Sequence, residues 1–156
     1  MIEPIPYMER TRRYYRAQGF KKDYEWAHHE RSPFTRLTKP LSDCRVTIVT
    51  TAVPNPKIPK MIRRAESLLF ADAPDRFETS ELSWDKDSTH TDDRQSFFPI
   101  EILHQLVTKG MIGDVADRYH FVPTQYSQRA TTDEDAPQIA DACQQDEVDI
   151  ALLIPL

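Results

Sequence analysis

The apolar run at residues 148–156 constrains the fold of this chain more than any other feature. It reads Val-Asp-Ile-Ala-Leu-Leu-Ile-Pro-Leu and follows an acidic segment. A run this short and this apolar is typical of a buried parallel strand. In open α/β sheets, chemistry lies just beyond the carboxyl ends of such strands. We therefore expect a functional loop to follow Leu156, directly after the last residue of the printed sequence.

The rest of the sequence alternates predicted strands with predicted helices. β-Branched and apolar residues at 45–52 predict the first core strand, and residues 119–123 predict a short second one. Helices are predicted at residues 7–18, 60–70, 99–110 and about 135–145, with Gly19 and Gly110 near their C-termini and Asp135 as an N-cap. This order predicts an α/β fold, with an open, mostly parallel sheet and flanking helices in a Rossmann-like, three-layer arrangement.

The same patterns divide the chain into an arm and a domain. Residues 1–43 are predicted to form an N-terminal helix and an extended arm, and residues 44–156 an α/β domain. Residues 72–95 are polar, have no periodic pattern and are rich in turn formers. We expect a long loop there, with a short edge strand near residues 77–84. Long loops inside compact domains are usually functional or disordered.

Composition excludes several classes of protein. The chain has 20 basic and 25 acidic residues, and its net charge of −5 argues against a general nucleic-acid binder. No segment approaches the roughly 18 apolar residues of a membrane helix, and the N-terminus lacks the layout of a signal peptide. The 3 glycines are too dispersed to form a phosphate-binding loop. The 2 cysteines match no metal-binding spacing, and we expect a reducing, cytoplasmic environment.

The densest cluster of polar residues lies in the long loop. His90, Asp92 and Asp93 are residue types suited to proton transfer or metal ligation, and Asp85 and Asp87 are nearby. The alternative is a solvated acidic loop whose histidine is free. The loop is therefore a candidate site, and residue types alone do not decide between the two interpretations.

The remaining candidate groups are one histidine and the cysteines. His120, in the second predicted strand and next to its carboxyl end, is either a functional group or a hydrogen-bonded core histidine. Cys44 and Cys143 have no adjacent basic group that clearly favours a thiolate, so we interpret both as structural. The printed sequence thus contains no convincing nucleophile.

Several motifs, taken in order along residues 45–156, resemble one family. They are Thr50-Thr51, His90-Thr91-Asp92-Asp93, Phe98-Pro99-Ile100, Gly110-Met111-Ile112-Gly113, Ala136-Pro137 with Ile139-Ala140, and Val148-Asp149. Together they are similar to the selenoprotein B type subunits of glycine, sarcosine and betaine reductase and of D-proline reductase. The chain departs from that family at Ala52-Val53-Pro54, where members commonly have a pair of glycines.

The resemblance implies a reductase whose catalytic selenocysteine or cysteine follows the terminal strand, at the position after Leu156, with a further α/β half beyond it. Selenocysteine is encoded by UGA, so we predict a selenoprotein gene translated only as far as that codon. A genuine truncation is the alternative. The implied reaction is attack on a C–N bond by a selenolate or thiolate, which a selenol forms more readily at neutral pH than an ordinary cysteine does.

The resemblance also implies roles for residues and partners. Thr50, Thr51 and His120 would bind the substrate, and His90, Asp92 and Asp93 would transfer protons or bind an amine. No cofactor is implied apart from the downstream selenocysteine. The expected partners are an amino-acid-like small molecule, a thiol or thioredoxin-type reductant, and further subunits in a homo- or hetero-oligomer, with neither nucleic acid nor membrane involved.

Two other functions stay open at this point. One is a non-catalytic α/β protein that binds a small molecule or serves in assembly. The other is a metal-dependent hydrolase that uses the His90 loop, which predicts stoichiometric bound metal.

Overall fold

The computed structural model describes residues 6–82, 85–124 and 127–156. The chain forms two compact units, Met1–Phe34 and Thr35–Leu156. None of the helices within the described ranges is long and apolar enough to cross a membrane.

The first unit contains the predicted N-terminal helix, α1 (Tyr7–Ala17). Gly19 follows its end with a left-handed φ of 89° and donates its amide to the Arg16 carbonyl, as a glycine at this position of a helix end usually does. No residue of α1 is buried. Its Tyr15 ring packs against Phe20 and Tyr24, with ring centroids 5.5 and 6.5 Å apart. The helix is thus held by a small aromatic cluster of its own unit.

The second unit is built around a sheet of five strands. The strands are β1 (Arg45–Thr50), β2 (Glu66–Leu69), β3 (Asp114–Val115), β4 (Arg118–Phe121) and β5 (Ile150–Ile154). β1 is central and pairs in parallel with β5 along one edge, and with β3 and then β4 along the other. β2 pairs antiparallel with β4. The predicted open, mostly parallel sheet is confirmed.

Helices flank both faces of the sheet. They are α2 (Ile100–Thr108), α3 (Gln128–Ala130) and α4 (Ala136–Gln145), the last two joined by a π-helical segment at Thr131–Asp135. Leu103 of α2 is part of the buried cluster that contains Tyr119, whereas Cys143 of α4 contacts His120. Because successive residues of a strand point to opposite faces, α2 and α4 cover opposite sides of the sheet.

The core on the α2 face is aromatic. The Phe98 ring is fully buried, and its centroid lies 4.7 Å from that of Phe77, 4.9 Å from Tyr119 and 5.6 Å from Phe70. Pro99 sets the start of α2, so Phe98 enters the core where the chain turns into the helix. Offset and edge-on contacts of this kind stabilise a core beyond the area they bury.

Two predictions of secondary structure were wrong. Residues 60–70 form a short 3₁₀ turn at Lys60–Ile62 followed by strand β2 instead of a helix, because short apolar runs do not distinguish helix from strand and Leu68 is held beside Tyr119 of β4. Asp135 is not a helix cap. It is buried with helical backbone angles, and the chain is already helical from Gln128 onward.

The terminal strand is confirmed, but the prediction that it is buried was wrong, since its residues are half-buried or exposed. β5 pairs only with β1 in the described part of the chain, and Leu153 is 74% exposed, while Ile150, Leu152 and Ile154 pack against the core. In the region of the predicted edge strand at residues 77–84, the structure shows a single bridge between Val53 and Glu78. Trp84, at the end of that prediction, lies outside the described residues.

Candidate functional site

The carboxyl end of β1 carries the two threonines that the sequence singled out. Thr50 is buried, and its hydroxyl accepts a hydrogen bond from the Ala52 amide at 3.1 Å. Thr51 is half-buried, and its hydroxyl accepts from the Leu156 amide at 2.8 Å and donates to the Leu156 backbone oxygen at 3.3 Å. Thr51 therefore fastens the segment after β5 to the carboxyl end of β1, the edge of the sheet where α/β proteins bind ligands.

A second segment lies along the same edge. Val53 and Glu78 exchange two backbone hydrogen bonds of 3.1 and 2.9 Å. The Glu78 carboxylate accepts from the Ser80 amide at 2.6 Å, and hydrogen bonding by Ser80 lowers the pKa of Glu78. The Val53–Glu78 bridge thus holds an ionised carboxylate close to the carboxyl end of β1.

The His90 loop joins this segment from the other side. The hydroxyls of Thr79 and Thr91 are 2.6 Å apart, and the Arg76 guanidinium donates to the Asp92 carboxylate at 3.2 Å. A cleft of about 280 Å³ lies between the two segments. Its lining consists of Arg76, Phe77, Glu78, Thr79, Ser80, Lys86, His90, Thr91 and Asp92.

The three predicted catalytic residues have different places here. His90 and Asp92 line the cleft, with side chains 72% and 67% exposed. The Asp92 amide lies 3.4 Å from Nδ1 of His90, and the Asp92 carboxylate lies 3.8 Å from the same nitrogen. Asp93 is occupied differently, since its carboxylate accepts from the Gln95 amide at 3.0 Å and caps the turn that follows. Their catalytic roles stay predictions.

An ion pair between a buried arginine and an exposed glutamate, which the sequence did not predict, braces the same region. The Arg63 side chain is 5% exposed and forms a bidentate pair with Glu81 at 2.8 and 3.0 Å. Its Nε donates to the Ile58 carbonyl at 2.9 Å, so Arg63 joins the proline-rich loop after β1 to the segment beside the cleft. Arg63 lowers the pKa of Glu81. In the sequence, Arg63 has an arginine neighbour and no pattern that marks it as buried.

His120 belongs to a different cluster, on the face of the sheet that α4 covers. The ring is fully buried, with Nδ1 2.9 Å from the Ser67 hydroxyl and Nε2 3.4 Å from the Cys143 sulfur. Burial, and then the positive charge of Arg118, lower the pKa of His120, and burial raises the pKa of the Cys143 thiol. Its side-chain partners come from β2 and α4. The predicted role of His120 in substrate binding stays a prediction.

A second cleft lies beside this cluster. It has a volume of about 440 Å³ and is lined by Ser67, Arg118, Gln138, Asp141, Ala142 and Gln145. Arg118 forms a bidentate pair with Asp146 at 2.7 and 2.8 Å, which lowers the pKa of Asp146 and fixes the end of α4 against β4. The lining is mostly polar and carries charges of both signs.

Within residues 6–82, 85–124 and 127–156, no group of three or more histidine, cysteine or acidic side chains is arranged to hold a metal ion. The fold and the site thus define an open α/β domain with polar clefts at one sheet edge and beside one flanking helix. Comparisons with protein-family models, with curated proteins and with solved structures find no match.

Proposed function

We propose that this chain is the N-terminal α/β part of a reductase of the selenoprotein B type, the class that contains glycine, sarcosine, betaine and D-proline reductases. In this proposal a selenolate or thiolate at the position after Leu156 attacks a small, amino-acid-like substrate and cleaves its C–N bond reductively. The observation that carries the proposal is the pair of hydrogen bonds between Thr51 and Leu156.

Those bonds matter because they give a downstream residue a defined place. A residue attached to Leu156 would emerge at the carboxyl edge of two parallel strands, β1 and β5. The Val53–Glu78 bridge begins two residues beyond Thr51 and connects that edge to the cleft. A nucleophile placed there would be held by rigid elements rather than by a free loop, as precise positioning of reacting groups requires.

The cleft supplies groups that suit a zwitterionic substrate. Lys86 and Arg76, the latter paired with Asp92, bring positive charge to the cleft for a carboxylate, and Glu78 brings negative charge for an ammonium group. His90, at the same cleft, is the residue type best suited to supply or accept a proton near neutral pH. In this proposal Thr51 also positions the nucleophile and Thr50 also shapes the turn beneath it, while their binding of the substrate stays a prediction.

The proposal extends to the surroundings of the protein. The oxidised nucleophile would be returned to its reduced state by a thiol or a thioredoxin-type protein, in the cytoplasm, within a homo- or hetero-oligomer. No cofactor beyond the downstream selenocysteine is invoked.

The first test is the gene itself. We expect codon 157 to be UGA, or a cysteine codon, followed by an open reading frame for a second α/β half. The protein extended through that frame, with cysteine at position 157, should cleave glycine, sarcosine, betaine or D-proline when supplied with dithiothreitol, and serine at position 157 should abolish turnover. An ordinary stop codon with no open frame beyond it contradicts the proposal.

The second test separates the His90 loop from the nucleophile. In the extended protein, His90→Asn should lower kcat by about 10²-fold or more if His90 transfers a proton. Asp87→Asn is the matched control, because Asp87 is an exposed residue of the same loop that does not line the cleft. Equal activity of the two variants would remove His90 from the mechanism.

A non-catalytic assembly protein is the second candidate. It is favoured by Leu153, a large apolar side chain that is 74% exposed on a strand with one unpaired edge in the described structure. Exposed apolar side chains on edge strands are typical of surfaces that pair with another chain. The gene test distinguishes the two candidates, since only the reductase requires a nucleophile after Leu156.

A further inference from the structure

Three side chains on the α4 face of the sheet lie in a row of direct contacts that the proposed function does not use. Ser67 of β2, His120 of β4 and Cys143 of α4 contact one another through the two ring nitrogens of the histidine, at 2.9 Å for Nδ1 and 3.4 Å for Nε2. The antiparallel register places Ser67 directly opposite His120. A nucleophile, a base and a group that orients the base are the parts of an activated thiol.

We infer that Cys143 is a reactive thiol, deprotonated by His120, that captures one half of a small charged disulfide by thiol–disulfide exchange. Ser67 acts as a positioning residue, because its contact with Nδ1 fixes the ring with Nε2 directed at the sulfur. This inference does not rest on the proposed reductase function, since it uses residues on another part of the sheet.

In the resting state both groups are uncharged, with a protonated thiol beside a neutral imidazole. Burial keeps the Cys143 thiol protonated at neutral pH, so the free thiol would be a poor nucleophile without a base. Burial and Arg118 keep His120 neutral, the form that can accept a proton. The negative charge of Asp146 opposes both effects on the pKa of the imidazole, and it raises the pKa of the Cys143 thiol.

The neighbouring cleft indicates the kind of disulfide. Ser67 lines the cleft and also touches His120, and Ala142, which precedes Cys143, lines it too. Arg118 and Asp141 give the cleft one charge of each sign. A ligand that carries both carboxylate and ammonium groups, such as the disulfide of a cysteine-containing peptide, matches this lining, and about 440 Å³ accommodates one half of it.

The chemical step is balanced without any further reactant. His120 takes the proton of the Cys143 thiol, and the sulfur attacks one sulfur of the disulfide. The disulfide bond breaks as the new S–S bond forms, so Cys143 is oxidised and the departing sulfur is reduced to a thiolate. That thiolate takes the proton from His120 and leaves as a free thiol.

The test is reaction of the folded chain with oxidised glutathione, followed by mass spectrometry of the intact protein and its peptides. We expect one glutathione per chain, attached to Cys143, and none on the Cys143→Ser variant. Cys44 is the internal control, because it is fully buried and its sulfur lies 3.4 Å from the Pro40 carbonyl. Modification of Cys44 in preference to Cys143, or modification of Cys143 only after unfolding in urea, overturns the inference.

The pH dependence of the rate identifies the base. With His120 as base, the rate on Cys143 should level off above the pKa of the histidine, whereas an unassisted thiol reacts about tenfold faster with each pH unit up to its own pKa. His120→Gln should restore that unassisted profile and slow the reaction at pH 7 by at least about tenfold. The wild-type profile alone is decisive should His120→Gln not fold, and a tenfold rise per unit across pH 6–8 refutes the inference.

Discussion

Replacing Thr51 by valine tests the contact on which the proposed site at the carboxyl end of β1 depends. Valine has nearly the same shape as threonine and similar preference for extended backbone, so the change removes the hydroxyl and little else. The lost interactions are the bond from the Leu156 amide, at 2.8 Å, and the bond to the Leu156 oxygen, at 3.3 Å. The backbone pairing of β1 with β5, from Val46 opposite Ile150 to Thr50 opposite Ile154, is not made by this hydroxyl.

The expected magnitude follows from those two bonds. A typical intramolecular hydrogen bond contributes a net stabilisation of roughly 0.5–1.5 kcal/mol. Both bonds are half-buried, and the 3.3 Å bond to the Leu156 oxygen is long, so its contribution falls at the lower end of that range. We expect the free energy of opening of the Leu156 segment to fall by about 1–2 kcal/mol. Since about 1.4 kcal/mol is a factor of ten, the open population should rise about 5–30-fold. Global stability should change little, because the segment opens locally.

Hydrogen exchange measures this directly. In Thr51→Val, exchange of the Leu156 amide should accelerate about 5–30-fold, while the amides of β1 in the centre of the sheet keep their wild-type rates. Thr51→Ser is the matched control, since it keeps the hydroxyl and should stay within about threefold of wild type. If the exchange rate of the Leu156 amide in Thr51→Val stays within twofold of the wild-type rate, Thr51 does not hold this segment. The geometric support for the proposed site at the carboxyl end of β1 is then lost.

Two further predictions concern the body of the domain. Phe98→Ala should lower the free energy of unfolding by about 3–5 kcal/mol in urea titrations with an unchanged m value, because the ring is fully buried among other aromatic rings, whereas Ile102→Ala on the exposed side of α2 should change it by less than about 0.5 kcal/mol. Stability should also fall as the pH drops below about 6.5, the pKa of histidine in the unfolded chain. The pKa of His120 is lowered in the fold, so the unfolded chain binds a proton first and protonation favours unfolding. The expected slope is up to about 1.4 kcal/mol per pH unit. His120→Gln should remove that slope, and a slope that persists unchanged in the variant assigns it to other groups and contradicts the prediction.

Much of the fold follows from periodicity and end signals. The helix after Pro99 has apolar residues three and four apart, and its buried Ile100 and Leu103 lie on that stripe. The order of strands and helices was sufficient for a mostly parallel sheet, because parallel strands need crossover connections. β2 could not be found this way. It has four residues and pairs with β4 only after the chain has folded back, so its local sequence contains no strand period long enough to recognise.

The candidate site was predictable only in part, for two physical reasons. His90 and Asp92 share a cleft, as their proximity in the sequence suggests, but the partners that hold them come from the segment around Thr79, which no local pattern connects to them. His120 was assigned by its nearness to a strand end. The pleat of β4 decides which face of the sheet the His120 side chain occupies, because successive residues of a strand point to opposite faces. The contacts of His120 with Ser67 and with Cys143 join residues far apart in the sequence, so no local spacing predicts them.

The half-exposed β5 raises the question of what fixes its register. A shift of one residue would replace Ile150, Leu152 and Ile154 against the core by Ala151, Leu153 and Pro155, so the apolar pattern disfavours the shift. Polar contacts at both ends of the strand add to this preference. Before β5, the Asp149 carboxylate accepts from the Arg45 amide at 2.7 Å and pairs with Lys39 at 2.7 Å, which lowers the pKa of Asp149.

After β5, the hydroxyl of Thr51 binds both backbone groups of Leu156. Asp149 and Thr51 thus fix β5 against the start and the end of β1, and a slip would break both sets of contacts at once. Leu153, on the opposite face of β5 from Ile150, Leu152 and Ile154, is exposed. Fixing the strand at both ends gives the carboxyl end of β5 a defined position, which a site at the end of a strand requires and a strand held by apolar contacts alone would not provide.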